Sequence, residues 1–151
     1  MKEFEFNLAK VLKVRNIREE MAHIDYLQAR QHFERIEDEI DGLITDQRRV
    51  YKHLRDKESL DPGQALQARR WLQHNRSEIE SLQEDLSRQQ EIVEEKREKL
   101  KKRSQRRQAL EKLKENKAEE YYRDMQKETQ KRIDDIAQHR LEDDADGILS
   151  G

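Results

Sequence analysis

Mostly apolar residues recur in alternating steps of four and three on both sides of the chain's only proline. The first run comprises Ala22, Tyr26, Ala29, Phe33, Ile36, Ile40, Leu43, Gln47, Val50 and Leu54. The second comprises Leu72, Asn75, Ile79, Leu82, Leu86, Gln89, Val93, Lys96, Leu100, Arg103, Arg107 and Leu110. This spacing is typical of long helices that pair along a narrow seam. We therefore predict a coiled coil rather than a layered globular domain.

The segment Asp61-Pro62-Gly63 is the strongest helix breaker, and it also reads as a helix start. Pro62 suits the first helical position, and Asp61 with Gln64 forms an approximate capping box. We predict a single all-α domain, an antiparallel coiled-coil hairpin over residues 1–141. Its first helix covers about 8–57, its turn about 58–61 and its second helix about 62–141, followed by a flexible acidic tail over 142–151.

The register follows from matching layers across the two helices. Pairing residues whose numbers sum to about 122 sets Leu43 against Ile79 and Ile36 against Leu86. It also places Gln47 opposite Asn75, so that two polar residues share a layer. A slip of one heptad would bury unpartnered polar groups at a cost of about 1–3 kcal/mol each. In the favoured register the second helix outruns the first from about residue 119 onwards.

The composition agrees with a narrow seam and excludes several classes of protein. Charged residues make up 44% and hydrophobic residues 32% of the 151 residues, against roughly 25% charged in an ordinary domain. The chain has no cysteine, no apolar run of membrane-spanning length and no signal-peptide pattern at its start. We expect a cytoplasmic protein.

The sequence offers no residues for catalysis. Its glycines are isolated and its histidines scattered, so it lacks both a phosphate-binding loop and a helical zinc motif. Acidic residues are expected on solvated helix faces, and a hairpin offers no closed pocket in which one could act as a catalytic acid or base. We therefore expect no enzyme activity, no catalytic residue, no metal, no cofactor and no small-molecule substrate.

Three other features point to protein partners. The overhanging helix carries an apolar line, and an unpaired line of that kind usually has a partner; its members are Tyr122, Met125, Thr129, Ile133 and Ile136. Leu60, Leu66 and Trp71 make the hairpin tip more apolar than a solvated turn needs, and Trp71 either caps the seam or anchors a partner. The basic run from Lys96 to Lys114 fits an acidic protein surface slightly better than a purely solvated face. It fits nucleic acid least, because it lacks interleaved aromatics.

The N-terminal residues resemble the opening of a known family. The pattern of Phe6, Leu8, the Val11-Leu12 pair, Val14 and Arg15 is similar to the start of FliJ-family proteins of flagellar type III export. Length, charge and the helical pattern agree along nearly the whole chain.

The resemblance implies a non-catalytic, stalk-like coiled coil, similar to the gamma subunit of rotary ATP synthases. It implies binding to the hexameric export ATPase FliI and to the export gate protein FlhA, and a role in cycling export chaperones. It also implies a location at the inner face of the cell membrane. On this reading the ATPase-binding residues are Phe6, Leu8, Val11, Leu12, Arg15, Tyr121, Tyr122, Arg123 and Met125. The gate-binding residues, by topology alone, are Leu60, Leu66 and Trp71.

Two other functions compete with this one. A generic coiled-coil tether or adaptor would form parallel dimers, whereas the hairpin is expected to be a monomer of 18.4 kDa. A binder of nucleic acid or anionic membrane would use the basic run, and its binding would fall steeply with salt.

Overall fold

The computed structural model describes residues 3–56 and 61–149, with side chains through residue 147. It contains helix α1, Ala9–Asp56, and helix α2, Pro62–Leu149, packed against each other. No strand occurs within these ranges. The predicted all-α hairpin of two long helices is confirmed.

The first backbone hydrogen bonds define where the two helices begin. The amide of Leu12 donates to the carbonyl of Leu8 at 2.9 Å, and the amide of Ala65 donates to the carbonyl of Asp61 at 3.0 Å. Leu8 and Asp61 therefore occupy the capping positions that precede Ala9 and Pro62. Residues 57–60, which hold most of the predicted turn, lie outside the described residues.

The predicted end of the second helix is wrong. Helix α2 continues past Leu141 to Leu149, so that part of the predicted acidic tail is helical. The cause is the weakness of the stop signal. Asp costs well under 1 kcal/mol in a helix and Gly147 about 1 kcal/mol, whereas Pro would cost about 3 kcal/mol.

The chain divides into two compact units. Ile17–Ser104 forms what we call the hairpin unit. Met1–Asn16 together with Gln105–Gly151 forms the terminal unit, in which the N-terminal segment lies against α2.

The heptad seam of the hairpin unit is confirmed at each predicted position. All seam residues from Ala22 to Leu54 and from Leu72 to Arg103 are buried or half-buried. The most buried apolar side chains of this unit are Ala22, Ala29, Ile36 and Ile40. A core only a few side chains wide explains why 32% hydrophobic residues are sufficient for the fold.

Two buried polar residues of α2 make hydrogen bonds to α1 that indicate how the two helices are aligned. The side-chain amide of Asn75 donates to the carbonyl of Leu43 at 3.2 Å, and that of Gln89 donates to the carbonyl of Ala29 at 2.9 Å. In the predicted register Asn75 faces Gln47 and Gln89 faces Phe33. Each acceptor carbonyl belongs to the residue four positions earlier in α1. Because helical carbonyls point towards the C-terminus, each carbonyl oxygen lies closer to the level of the predicted partner than its own residue does. Both pairs of numbers sum to 118, which lies nearer to the predicted sum of about 122 than to the sum of 129 that a slip of one heptad towards higher sums would give.

In the described parts of α1 and α2, no stretch combines the length and the apolar character needed to cross a bilayer.

Candidate functional site

The N-terminal motif of the terminal unit separates into buried and exposed residues. Phe6 and Leu12 are buried, at 8% and 9% exposure, and they form the apolar centre of this unit. Leu8 and Arg15 are half-buried, whereas Val11 is exposed. The sequence could not make this division, because apolar residues of the motif point to several sides of the helix.

An aromatic cluster joins the N-terminal segment to α2. The ring of Phe4 lies 5.6 Å from that of Tyr121, and Tyr121 meets Tyr122 edge-on at 5.5 Å and 81°. Tilted and edge-to-face pairs of this kind favour a fixed arrangement of the rings. Phe4 was missed by the sequence reasoning, although its place two residues before Phe6 was a usable signal.

A groove of about 770 Å³ begins beside this cluster. Its lining is Glu3, Tyr122, Arg123, Met125, Gln126, Lys127, Thr129 and Gln130. Three of the predicted ATPase-binding residues, namely Tyr122, Arg123 and Met125, therefore share one surface. Of these, the Tyr122 side chain is 56% exposed and Met125 is half-buried.

The C-terminal part of α2 presents apolar residues to solvent. All described side chains from residue 131 to residue 147 are exposed. They include Ile133, Ile136 and Leu141, each more than half exposed. The predicted apolar line on the second helix therefore lies at the surface of the terminal unit.

The predicted tip residues fall in the hairpin unit. Leu66 and Trp71 are both exposed, and Leu60 lies outside the described residues. Trp71 lines a groove of about 510 Å³ with residues of both helices, among them Val50 and Leu54. The Trp71 side chain is 38% exposed beside this groove.

A second apolar surface on α1 escaped the sequence reasoning. Ile17, Met21, Ile24 and Leu27 are all exposed, and we call them the outer stripe. Ala22, by contrast, is 3% exposed in the seam. The signal was available, since positions 17, 21 and 24 repeat in the steps of four and three that mark the seam itself.

The basic run from Lys96 to Lys114 is largely solvated. Its seam members Lys96, Arg103 and Arg107 are half-buried, and the other lysines and arginines are exposed. The guanidinium of Arg107 donates to Glu111 at 2.7 Å, and Arg97 lies 3.7 Å from Glu94. Among the described residues, no group of three or more histidine and acidic side chains is arranged to hold a metal ion.

A protein-family model described as Flagellar FliJ protein matches residues 4–144. The match includes the N-terminal motif, the hairpin unit and most of α2. Searches of curated proteins and of solved structures returned no match.

Proposed function

Because this chain belongs to the FliJ family of flagellar proteins, we propose that it binds the hexameric export ATPase FliI as a stalk. Membership of the family makes the chain a component related to flagellar export. The stalk role adds a partner and a mechanism to that assignment.

The observation that carries the proposal is the exposed apolar surface of the terminal unit. Tyr122, Ile133 and Ile136 are each more than half exposed on a helix that continues to Leu149. Large apolar side chains exposed along a helix are typical of a surface that a partner covers. A ring that encloses this helix would bury them from several sides.

Burial also divides the proposed ATPase-binding residues by role. Val11 and Tyr122 are exposed and are proposed to contact the ATPase directly, as is Arg123. Phe6 and Leu12 are buried and are proposed to act by holding the N-terminal segment against α2. Leu8, Arg15, Tyr121 and Met125 are half-buried and are able to do both.

The proposed mechanism is differential binding. A stalk that binds the assembled hexamer better than free subunits stabilises the hexamer by linkage. A single asymmetric helix pair also contacts six identical subunits unequally. It thereby favours different nucleotide states in different subunits.

The proposed second contact is with the export gate protein FlhA, through Leu66 and Trp71. Their exposure and the open groove beside Trp71 support it. Leu60 belongs to the same proposal by sequence alone. Cycling of export chaperones, and a location at the inner face of the membrane beside the gate, complete the proposed role.

The test is the ATPase rate of FliI as a function of enzyme concentration, with and without this protein. The specific activity of FliI should rise with enzyme concentration as the hexamer assembles. We expect this rise to occur at a lower FliI concentration when the protein is present. The variant Ile133→Glu should abolish the shift, whereas the control Gln138→Glu should retain it, because it adds the same charge at an exposed position without removing an apolar side chain. An unchanged rate and an unchanged oligomer size would refute the stalk role.

A further inference from the structure

The outer stripe lies on the side of α1 that the seam does not use. At 3.6 residues per turn, Met21 and Ile24 point about 100° and 200° away from Ala22. Ala22 is 3% exposed in the seam, whereas Met21 is 61% exposed. The described residues of the hairpin unit therefore leave the stripe side chains far more exposed than those of the seam.

We propose that the outer stripe is the contact surface of a weak antiparallel dimer between two copies of this chain. The inference goes beyond the proposed function and does not depend on binding to an ATPase. Its grounds are the heptad spacing of the stripe and the charges that flank it.

The spacing gives the stripe the geometry of a second coiled-coil seam. Ile17 and Ile24 are separated by seven residues, and Met21 lies between them at the complementary core position. Pairing residues whose numbers sum to about 45 sets Met21 of one copy against Ile24 of the other, twice across the two-fold axis. In the same alignment Ile17 meets Gln28, which closes each end of the apolar contact with a polar layer.

The flanking charges favour this antiparallel alignment. Arg18 and Asp25 occupy equivalent flanking positions seven residues apart. In an antiparallel pair such positions face each other, so that Arg18 of each copy meets Asp25 of the other. A parallel pair would instead bring Glu20 of one copy beside Asp25 of the other, which places like charges together.

The size of the stripe makes the dimer weak. Each copy offers four apolar side chains that are only partly exposed, well short of the roughly 800 Å² per partner of a standard stable interface. The chain should therefore be a monomer at low concentration and associate as the concentration rises.

The test is sedimentation velocity of the full chain from low micromolar to near-millimolar concentration. We expect the mass to rise from 18.4 kDa towards twice that value. Ile24→Glu should hold the mass at the monomer value throughout. Residue 24 is more than half exposed, so circular dichroism should show that this variant remains folded.

Charge reversal tests the alignment itself. Arg18→Asp and Asp25→Arg should each raise the dissociation constant by about tenfold, because each places like charges at both symmetric contacts. The double variant R18D/D25R should restore the dimer, and the control Arg48→Asp, far along the same helix, should leave it unchanged.

Two results would overturn the proposal. A mass of 18.4 kDa at every concentration would mean that a partner of different sequence covers the stripe. If the Ile24→Glu variant still forms a dimer, the copies meet through another surface. If the double variant R18D/D25R does not dimerise again, they meet in another alignment.

Discussion

The side-chain amide of Asn75 bonds the carbonyl of Leu43 at 3.2 Å, yet the oxygen of the same side chain is buried without a hydrogen-bond partner among the described residues. The residue is 2% exposed. The predicted layer of Asn75 with Gln47 therefore does not supply a partner for this oxygen. The hairpin tolerates a destabilising group at a position where apolar residues would suit the seam.

Replacing Asn75 with leucine should stabilise the protein. The change removes the desolvation cost of the buried oxygen, and the carbonyl of Leu43 retains its helical partner. We expect the free energy of unfolding to rise by about 1 kcal/mol in a urea titration. Gln89→Leu is the matched comparison and should gain less, since Gln89 leaves no buried atom unpartnered. A loss of stability in Asn75→Leu would show that its one hydrogen bond outweighs its unpaired oxygen.

Gly42→Ala should also stabilise the protein. Gly42 lies inside α1, and a Cβ added there meets no atom within 4 Å. Alanine is favoured over glycine in a helix interior by about 1 kcal/mol, so that the unfolding midpoint should rise accordingly. Gly147→Ala is equally unobstructed but lies near the end of α2, and its effect should be much smaller. Equal effects at both positions would argue against helix propensity as the cause.

Phe6→Ala should loosen the N-terminal segment without unfolding the hairpin unit. Deleting a buried phenylalanine costs about 3 kcal/mol or more, and here the loss falls on the terminal unit. Hydrogen exchange should become faster in the first turns of α1 and remain unchanged around Ile36. Val11→Ala, at an exposed position of the same motif, serves as the control and should exchange like the unaltered protein.

Two ion pairs of similar length should differ in their effect on stability. Arg88 lies 2.6 Å from Asp85 with its side chain 70% exposed, whereas Arg107 lies 2.7 Å from Glu111 with its side chain 23% exposed. Arg88→Ala should change the free energy of unfolding by less than about 0.5 kcal/mol. Arg107→Ala should cost about 1–2 kcal/mol, because it also removes the packed aliphatic stem. This difference should persist in high salt; if salt erased it, charge rather than packing would be responsible.

The hairpin and its register could be predicted because they depend on spacing. A heptad repeat limits which residues face the seam, and matched layers such as Ile36 with Leu86 limit how the two helices align. The hydrogen bond from Gln89 to Ala29 belongs to the same alignment. Which carbonyl accepts this hydrogen bond was not predictable, because every residue of the helix carries the same backbone carbonyl.

The end of α2 and the division of the N-terminal motif were beyond the sequence reasoning. An acidic segment without proline stops a helix only weakly, so that Leu141 gave no reliable boundary. Phe6 and Val11 have similar apolar character, and only tertiary packing decides that one is buried and the other exposed. The outer stripe was not predicted, because its four apolar residues span only residues 17–27 and lie on the same helix as the much longer seam repeat.

The exposed stretch from residue 131 to residue 147 has a thermodynamic consequence for whatever binds it. A helical segment that no other part of the unit covers is ordered only by local propensity and by continuation of the helix before it, and helices without tertiary packing are only marginally populated in water. Warming should therefore melt this segment before the rest of the chain. A binder must then offset the conformational entropy that is lost when the segment re-forms as a helix. The measured affinity of the binder should therefore fall with temperature more steeply than the contact area alone would predict.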